Sequence, residues 1–226
     1  MKNVYLVVTL SLLCYLLYFL AIRDVWKKDS NKYHSPGRPC MSIALQLHII
    51  GIMLFGLPFT IQMQERMKFL SYPNNPAHFL MPLMVLLIVS VFILSWFVAA
   101  QKNKLPGMFN YSPDFSYGTT AIYLLLRVVF LIAYEFFFRG VLLFGIAMVA
   151  GIITSIIINI ILYVVIHLFS ERQAMIGAVP FGIVLCMLSW KTQSIWPAVI
   201  LHLVLALTYE IKMINHLFHS SKKLIV

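Results

Sequence analysis

Residues 120–148 read TAIYLLLRVVFLIAYEFFFRGVLLFGIAM. An apolar helix needs about 20 residues to cross the hydrocarbon core of a bilayer. This block is longer than one span, so it is expected to tilt or to break at Gly140 or Gly145. Its centre, AYEFFFRG (Ala133 to Gly140), carries Glu135 and Arg139 four residues apart among greasy neighbours. On a helix that spacing puts both side chains on one face, and Arg127, Leu131, Glu135 and Arg139 step along that face. An ionisable group in hydrocarbon costs about 2.5–3.5 kcal/mol on insertion scales and normally faces a bundle interior with a partner. The stretch therefore predicts a membrane-crossing helix with a polar stripe turned towards other helices.

The rest of the chain agrees. Of its residues, 62% are hydrophobic and 11% charged, with a mean hydropathy of +0.91; a soluble domain carries roughly 25% charged residues. Further apolar runs lie at 4–22, 41–62, 79–100, 152–170, 178–191 and 195–214. The first (VYLVVTLSLLCYLLYFLAI) is too long for a signal-peptide core and no small-residue cleavage site follows, so it reads as a helix of the mature protein. The run at 178–191 is short, and Pro180 with Gly182 predicts an irregular start. The fold class expected is all-α, a polytopic transmembrane helix bundle of about seven spans, six to eight being compatible with the pattern. Residues 1–117 read as N-terminal transmembrane helices, 118–214 as a core and 215–226 as a short basic tail. No internal repeat, soluble domain or low-complexity tract interrupts them.

Lysine and arginine number 17 against 7 acidic residues, an excess that elsewhere would suggest nucleic acid. Here the basic residues sit mostly between apolar blocks, which points to membrane orientation and to no nucleic-acid partner. Under strict alternation, loop 23–39 (Arg23, Lys27, Lys28, Lys32, Arg38), loop 101–119 (Lys102, Lys104), Arg172 and the tail (Lys222, Lys223) share one side. Lys2, Arg66, Lys68 and Lys191 fall on the other. The richer side is expected to be cytoplasmic, with the N-terminus outside and the C-terminus inside. Cys14, Cys40 and Cys186 are too scattered to suggest a disulfide framework or a zinc cluster.

Setting loop charges aside leaves Arg127, Glu135, Arg139 and Glu210, with His48, His167 and His202. Two readings of Glu135 and Arg139 stand side by side: a structural pair that neutralises itself, or part of a functional site. His48 has no motif around it and reads as structural. His216 and His219 flank the interface and say little. Glu210 lies two four-residue steps beyond His202 and is expected to snorkel to the cytoplasmic interface.

EFFFRG is followed by YVVIH (Tyr163 to His167) and by SIWPAVILHLVLA (Ser194 to Ala206). In order and spacing these resemble the CAAX-protease and bacteriocin-processing (CPBP, Abi) family of glutamate-type intramembrane proteases, over about residues 118–210. That family has a Glu-Glu-x-x-x-Arg motif, an aromatic-x-x-x-His motif on the next helix and a later His-x-x-x-Asn motif. Glu135 and Arg139 match the second glutamate and the arginine; Tyr134 stands where the first glutamate would be. Tyr163 and His167 match the second motif. His202 matches the third, whose asparagine is replaced by Ala206.

The resemblance implies a catalytic set of Glu135, His167 and His202 supported by Arg139, Tyr134 and Tyr163. It implies water activation for attack on a peptide carbonyl without cofactor or metal. Two histidines and a carboxylate can ligate zinc as in a metalloendopeptidase, but the His-x-x-x-His helix spacing of those enzymes is absent. The partners implied are the lipid bilayer and a membrane-associated peptide or protein substrate, in the plasma membrane of a prokaryote. The two departures matter chemically. A phenol, with an ordinary pKa near 10, is a poor base at neutral pH, and alanine has no side-chain donor for an oxyanion, whose loss costs about 10²–10³ in rate. A catalytically degenerate member acting as a scaffold or regulator is the alternative. A proton-coupled carrier ranks third, since no inverted repeat supports it.

Overall fold

In lipid every backbone polar group has to be satisfied within the protein, and a helix does this inside one segment. The computed structural model describes residues 2–30, 41–61, 80–102, 117–169 and 172–223. Among these the chain forms seven helices and no strand: α1 (Lys2–Ser30), α2 (Met41–Ile61), α3 (Leu80–Lys102), α4 (Tyr117–Ala150), α5 (Ile152–Phe169), α6 (Arg172–Thr192) and α7 (Trp196–Lys223). Six of them are long and apolar enough to cross a membrane, and α2 carries a shorter apolar run, Ala44–Pro58. The protein is an integral, multi-pass helical membrane protein. Most of the loop residues read at 23–39 and 101–119 lie outside the described residues, as do Arg66 and Lys68. Residues expected to begin a tail at 215 continue α7 as far as Lys223.

The bundle turns an apolar surface outward and gathers its few polar side chains inside. On α5, Ile153, Ile157 and Ile161 are exposed, whereas Ser155, Asn159 and Tyr163, each two positions further on, are buried. Two residues are about 200° of helical rotation, so the isoleucines form a lipid-facing stripe and the polar residues the opposite one. On α3, Leu86, Ile93 and Phe97 likewise face outward. Helix α4 packs on α2 and α7, α3 on α7, α5 on the end of α4 and on α6, and α6 on α7. The centre is aromatic: Tyr18, Phe55, Phe130, Tyr134, Phe137, Phe138 and Tyr163 are buried in one cluster.

Two sequence expectations are corrected. Helix α4 does not break at Gly140 or Gly145. Phe136–Leu142 instead forms a π-helical segment, flanked by α-helix on both sides. The chain reverses later, at Gly151, whose φ of 80° and ψ of 163° lie in a region essentially restricted to glycine. Nor does α6 start irregularly at 178: it runs unbroken from Arg172 through Pro180. One proline removes one ladder bond, which neighbouring helices make tolerable in a membrane helix.

The π segment is braced from α5. Asn159 donates its side-chain amide to the Phe138 carbonyl at 2.6 Å, an oxygen that also accepts the backbone N–H of Leu143. Ser155 donates to the Leu143 carbonyl at 2.6 Å, and the Cys186 thiol donates to Asn159 Oδ1 at 3.4 Å. Replacing Asn159 by leucine leaves the Phe138 carbonyl only the Leu143 N–H and strands the Cys186 thiol, which costs about 1–3 kcal/mol. A titration of unfolding in mixed micelles should show that loss; an unchanged midpoint would mean that the π segment does not depend on Asn159.

Candidate active site

The π segment begins one residue after Glu135, and that is where the polar residues of three helices meet. His202, on α7, donates from Nδ1 to Glu135 Oε1 at 2.5 Å, and both side chains are buried. The other carboxylate oxygen faces Arg139 Nε at 3.3 Å as an ion pair between fully buried side chains. The guanidinium lies over the Tyr163 ring at 4.6 Å and near that of Phe138 at 5.6 Å, cation–π contacts that help hold a buried cation. The spacing read from the sequence is thus realised: Glu135 and Arg139 pair, and His202 joins them from a distant helix.

Tyr134 stands beside this group. Its ring packs against His202 at 5.7 Å and Tyr163 at 5.8 Å between centroids, and against Phe55, Phe130 and Phe138. A phenol therefore fills the ground next to the carboxylate, wedged by five rings. His167 is placed differently. It sits in the short 3₁₀ turn ending α5, where Nδ1 donates to the Tyr163 carbonyl at 2.7 Å. Among the described residues it makes no hydrogen bond to Glu135 or His202. Its ring stacks on Tyr163 at 4.8 Å, and Tyr163 in turn meets His202 at 6.3 Å. One aromatic ring therefore stands between the two histidines. Ala206 is buried one turn beyond His202 and belongs to the aromatic core. Among the described residues no three His, Cys, Asp or Glu side chains are grouped so as to hold a metal ion.

His202 reaches Glu135 because α7 starts close to the end of α6. Gln193 takes a left-handed conformation (φ 51°), and the Ser194 N–H closes back on the Ser189 carbonyl at 3.2 Å. These are the bonds of a helix end that turns sharply. The Ser194 hydroxyl then accepts from the Trp196 N–H at 3.4 Å, which starts the next helix.

Away from this centre, Glu210 does not snorkel. It pairs with Arg127 at 2.9 Å, both side chains being largely covered. Arg127 Nη1 also donates to His48 Nε2 at 3.3 Å, and His48 is held between Tyr123 and Phe130. A cation on a neighbouring helix gave Glu210 a closer partner than the interface. Sequence reading also passed over Ser155 and Asn159. The signal was there, since Ser155, Asn159, Tyr163 and His167 recur every fourth residue along an otherwise aliphatic helix, but Ser155 and Asn159 carry no ionisable group.

Fold and site together define a polytopic helical membrane protein with a buried carboxylate, histidine and arginine centre. Residues 117–208 match the family model described as type II CAAX prenyl endopeptidase Rce1-like, and over that segment the likeness to the CAAX-protease family is shown. The matched segment contains Tyr134, Glu135, Arg139, Tyr163, His167 and His202. No curated protein and no solved structure gives a match.

Proposed function

We propose that this protein is a membrane-embedded endopeptidase of the CAAX-protease type, cutting a membrane-associated peptide or protein with water activated by its own side chains. The observation that carries the reading is the buried contact between Glu135 and His202. When Nδ1–H is given to a carboxylate, the lone pair of a neutral imidazole resides on Nε2. A carboxylate that fixes a histidine in this way makes it a general base. Both oxygens of Glu135 are engaged, one by His202 and one by Arg139. The proton of water is therefore assigned to His202 Nε2, with Glu135 holding its tautomer. The water oxygen bonds to the peptide carbonyl carbon, the C–N bond breaks, and the imidazolium returns the proton to the leaving amine. Arg139 supplies the charge that offsets the oxyanion. His167, which also commits Nδ1 to an acceptor, presents a second acceptor nitrogen across the Tyr163 ring. Without a donor at Ala206 the reaction is expected to be slow. The excess of basic residues on one side supports a cytoplasmic C-terminus.

The packing of Tyr134 between five rings favours a second reading, a degenerate family member that binds membrane proteins as a scaffold. One experiment separates the two. New peptide termini are surveyed in the membrane proteome of cells lacking the protein and of cells complemented with wild type or Glu135→Gln. A protease restores specific termini that Glu135→Gln restores about 10²–10⁴-fold more slowly, the contribution of a positioned base. Equal phenotypic rescue by both forms with no new termini would sink the catalytic reading.

A further inference from the structure

Two polar contacts join α4 to α7, and their positions are related. Glu135 meets His202. Eight residues back along α4 and eight residues on along α7, Arg127 meets Glu210. The helices are thus antiparallel in one register, with the two contacts about 12 Å apart along their axes. Between them the same register sets Leu131 opposite Ala206, both buried in one cluster.

The face that α7 turns to α4 between the two contacts accordingly runs His202, Ala206 and Glu210, flanked by Val199 and Leu203, which share a cluster with Ile132 and Phe136. At its midpoint stands an alanine, and a small residue lets helices approach closely. The apolar contact beside it is non-directional, so the polar pairs are what distinguish this register from a slipped one. A slip of one turn, about 6 Å, would place Glu135 against Ala198 or Ala206 and Arg127 against Ala206 or Ile214. Each would set a charge of one helix against an apolar side chain of the other. Only the present register satisfies both pairs.

We propose that Arg127 and Glu210, steadied by His48, act as a register clamp: positioning residues that hold α7 so that His202 meets Glu135. The clamp draws in a third helix, since His48 lies on α2 and accepts from Arg127. It makes no contact with the reacting atoms. Its consequence for catalysis rests on the proposed peptidase reading, but the register itself does not.

The test separates these two levels. The full chain in native membranes carries Leu131→Cys with Ala206→Cys, and the yield of that disulfide under mild oxidation is read by peptide mass spectrometry. A second pair, Leu143→Cys with Ser155→Cys, reports folding on the α4–α5 face. Arg127→Gln and Glu210→Gln are each expected to lower the 131–206 yield at least about twofold, the lower end of coupling between contacting residues, and to leave the 143–155 yield unchanged. The reversed pair Arg127→Glu with Glu210→Arg is expected to restore it. In the proteolysis assay kcat should fall about tenfold to a hundredfold in the single variants, with KM unchanged and recovery in the reversed pair. An unchanged 131–206 yield in the singles, or no recovery in the reversed pair with the 143–155 pair intact, overturns the clamp. Wild type that cleaves nothing removes the peptidase reading, and the disulfide yields then decide the clamp by themselves.

Discussion

Replacing Arg139 with methionine is expected to destabilise the protein by about 3–5 kcal/mol, the cost of removing one partner of a buried ion pair. The reason is the burial of both groups. Glu135 and Arg139 have no exposed surface, so the carboxylate left behind would keep only His202 as a polar neighbour. Methionine nearly preserves the volume of the arginine stem, which keeps cavity formation out of the comparison. The double variant Glu135→Leu with Arg139→Met removes both charges and is expected to recover much of the loss, since apolar replacement of a whole buried pair is often neutral or better. A cycle of the four proteins, unfolded by detergent titration, should give a coupling of at least about 3 kcal/mol, the upper end for contacting residues. A single variant costing less than about 1 kcal/mol would mean that Glu135 is held as a neutral acid, and the pairing argument would fall. The double variant is predicted to fold and to be inert, which would separate the stability of the centre from its chemistry.

That separation bears on how the centre departs from the motifs of the CAAX-protease family that residues 117–208 resemble. Tyr134 and Ala206 are both integral to the aromatic core, so neither is a bystander that drifted on a surface. The phenol completes a packed wall around His202, and the alanine lets α7 approach α4 between two polar contacts. Both substitutions fit the helix packing and both remove chemistry. On the proposed peptidase reading, a protein built this way keeps the carboxylate-to-histidine contact while giving up groups that would accelerate the reaction.

Most of the architecture was legible because membrane helices announce themselves by length and by the scarcity of charge. The Glu135 and Arg139 pairing was legible from a four-residue spacing within one helix. The contact of Glu135 with His202, 67 positions apart, was suggested by family motifs and by nothing local. The pairing of Arg127 with Glu210 was missed because it depends on the register between two helices, which no spacing within either one encodes. The π segment was missed for a different reason. Its Phe136, Phe137 and Phe138 are compatible with an α-helix, and what stabilises the wider turn is an amide from Asn159 on another helix. His167 looked like a member of the centre from its motif, yet a 3₁₀ turn and a bond to its own helix set it one ring away.

Among the described glycines, Gly51 is the most tightly packed, and it predicts a graded series. A Cβ built there would stand 2.3 Å from Phe130 Cε2, 2.7 Å from Phe130 Cδ2 and 3.0 Å from a ring carbon of Tyr18. Three helices therefore meet at a position with room for a hydrogen atom only. The Phe130 ring cannot swing aside freely, because it packs against Tyr18, His48, Phe55 and Tyr134. Overpacking a core costs about 1–3 kcal/mol and occasionally more. Alanine at a helical glycine recovers about 0.5–1 kcal/mol of backbone entropy, so Gly51→Ala should show a net loss of only about 0–2 kcal/mol. Gly51→Leu has no such compensation on the scale of its added bulk and should lose about 3 kcal/mol or more. The discriminating variant is the pair Gly51→Ala with Phe130→Leu: removing the ring opens the space, so the alanine should then stabilise the protein relative to Phe130→Leu alone. If alanine destabilised both backgrounds equally, α2 and α4 would not be in contact through Phe130. The same series reads function, because a displaced Phe130 pushes on Tyr134 and Tyr134 on His202. Gly51→Ala should accordingly slow any proteolysis by more than its effect on stability explains, and Phe130→Leu should relieve it.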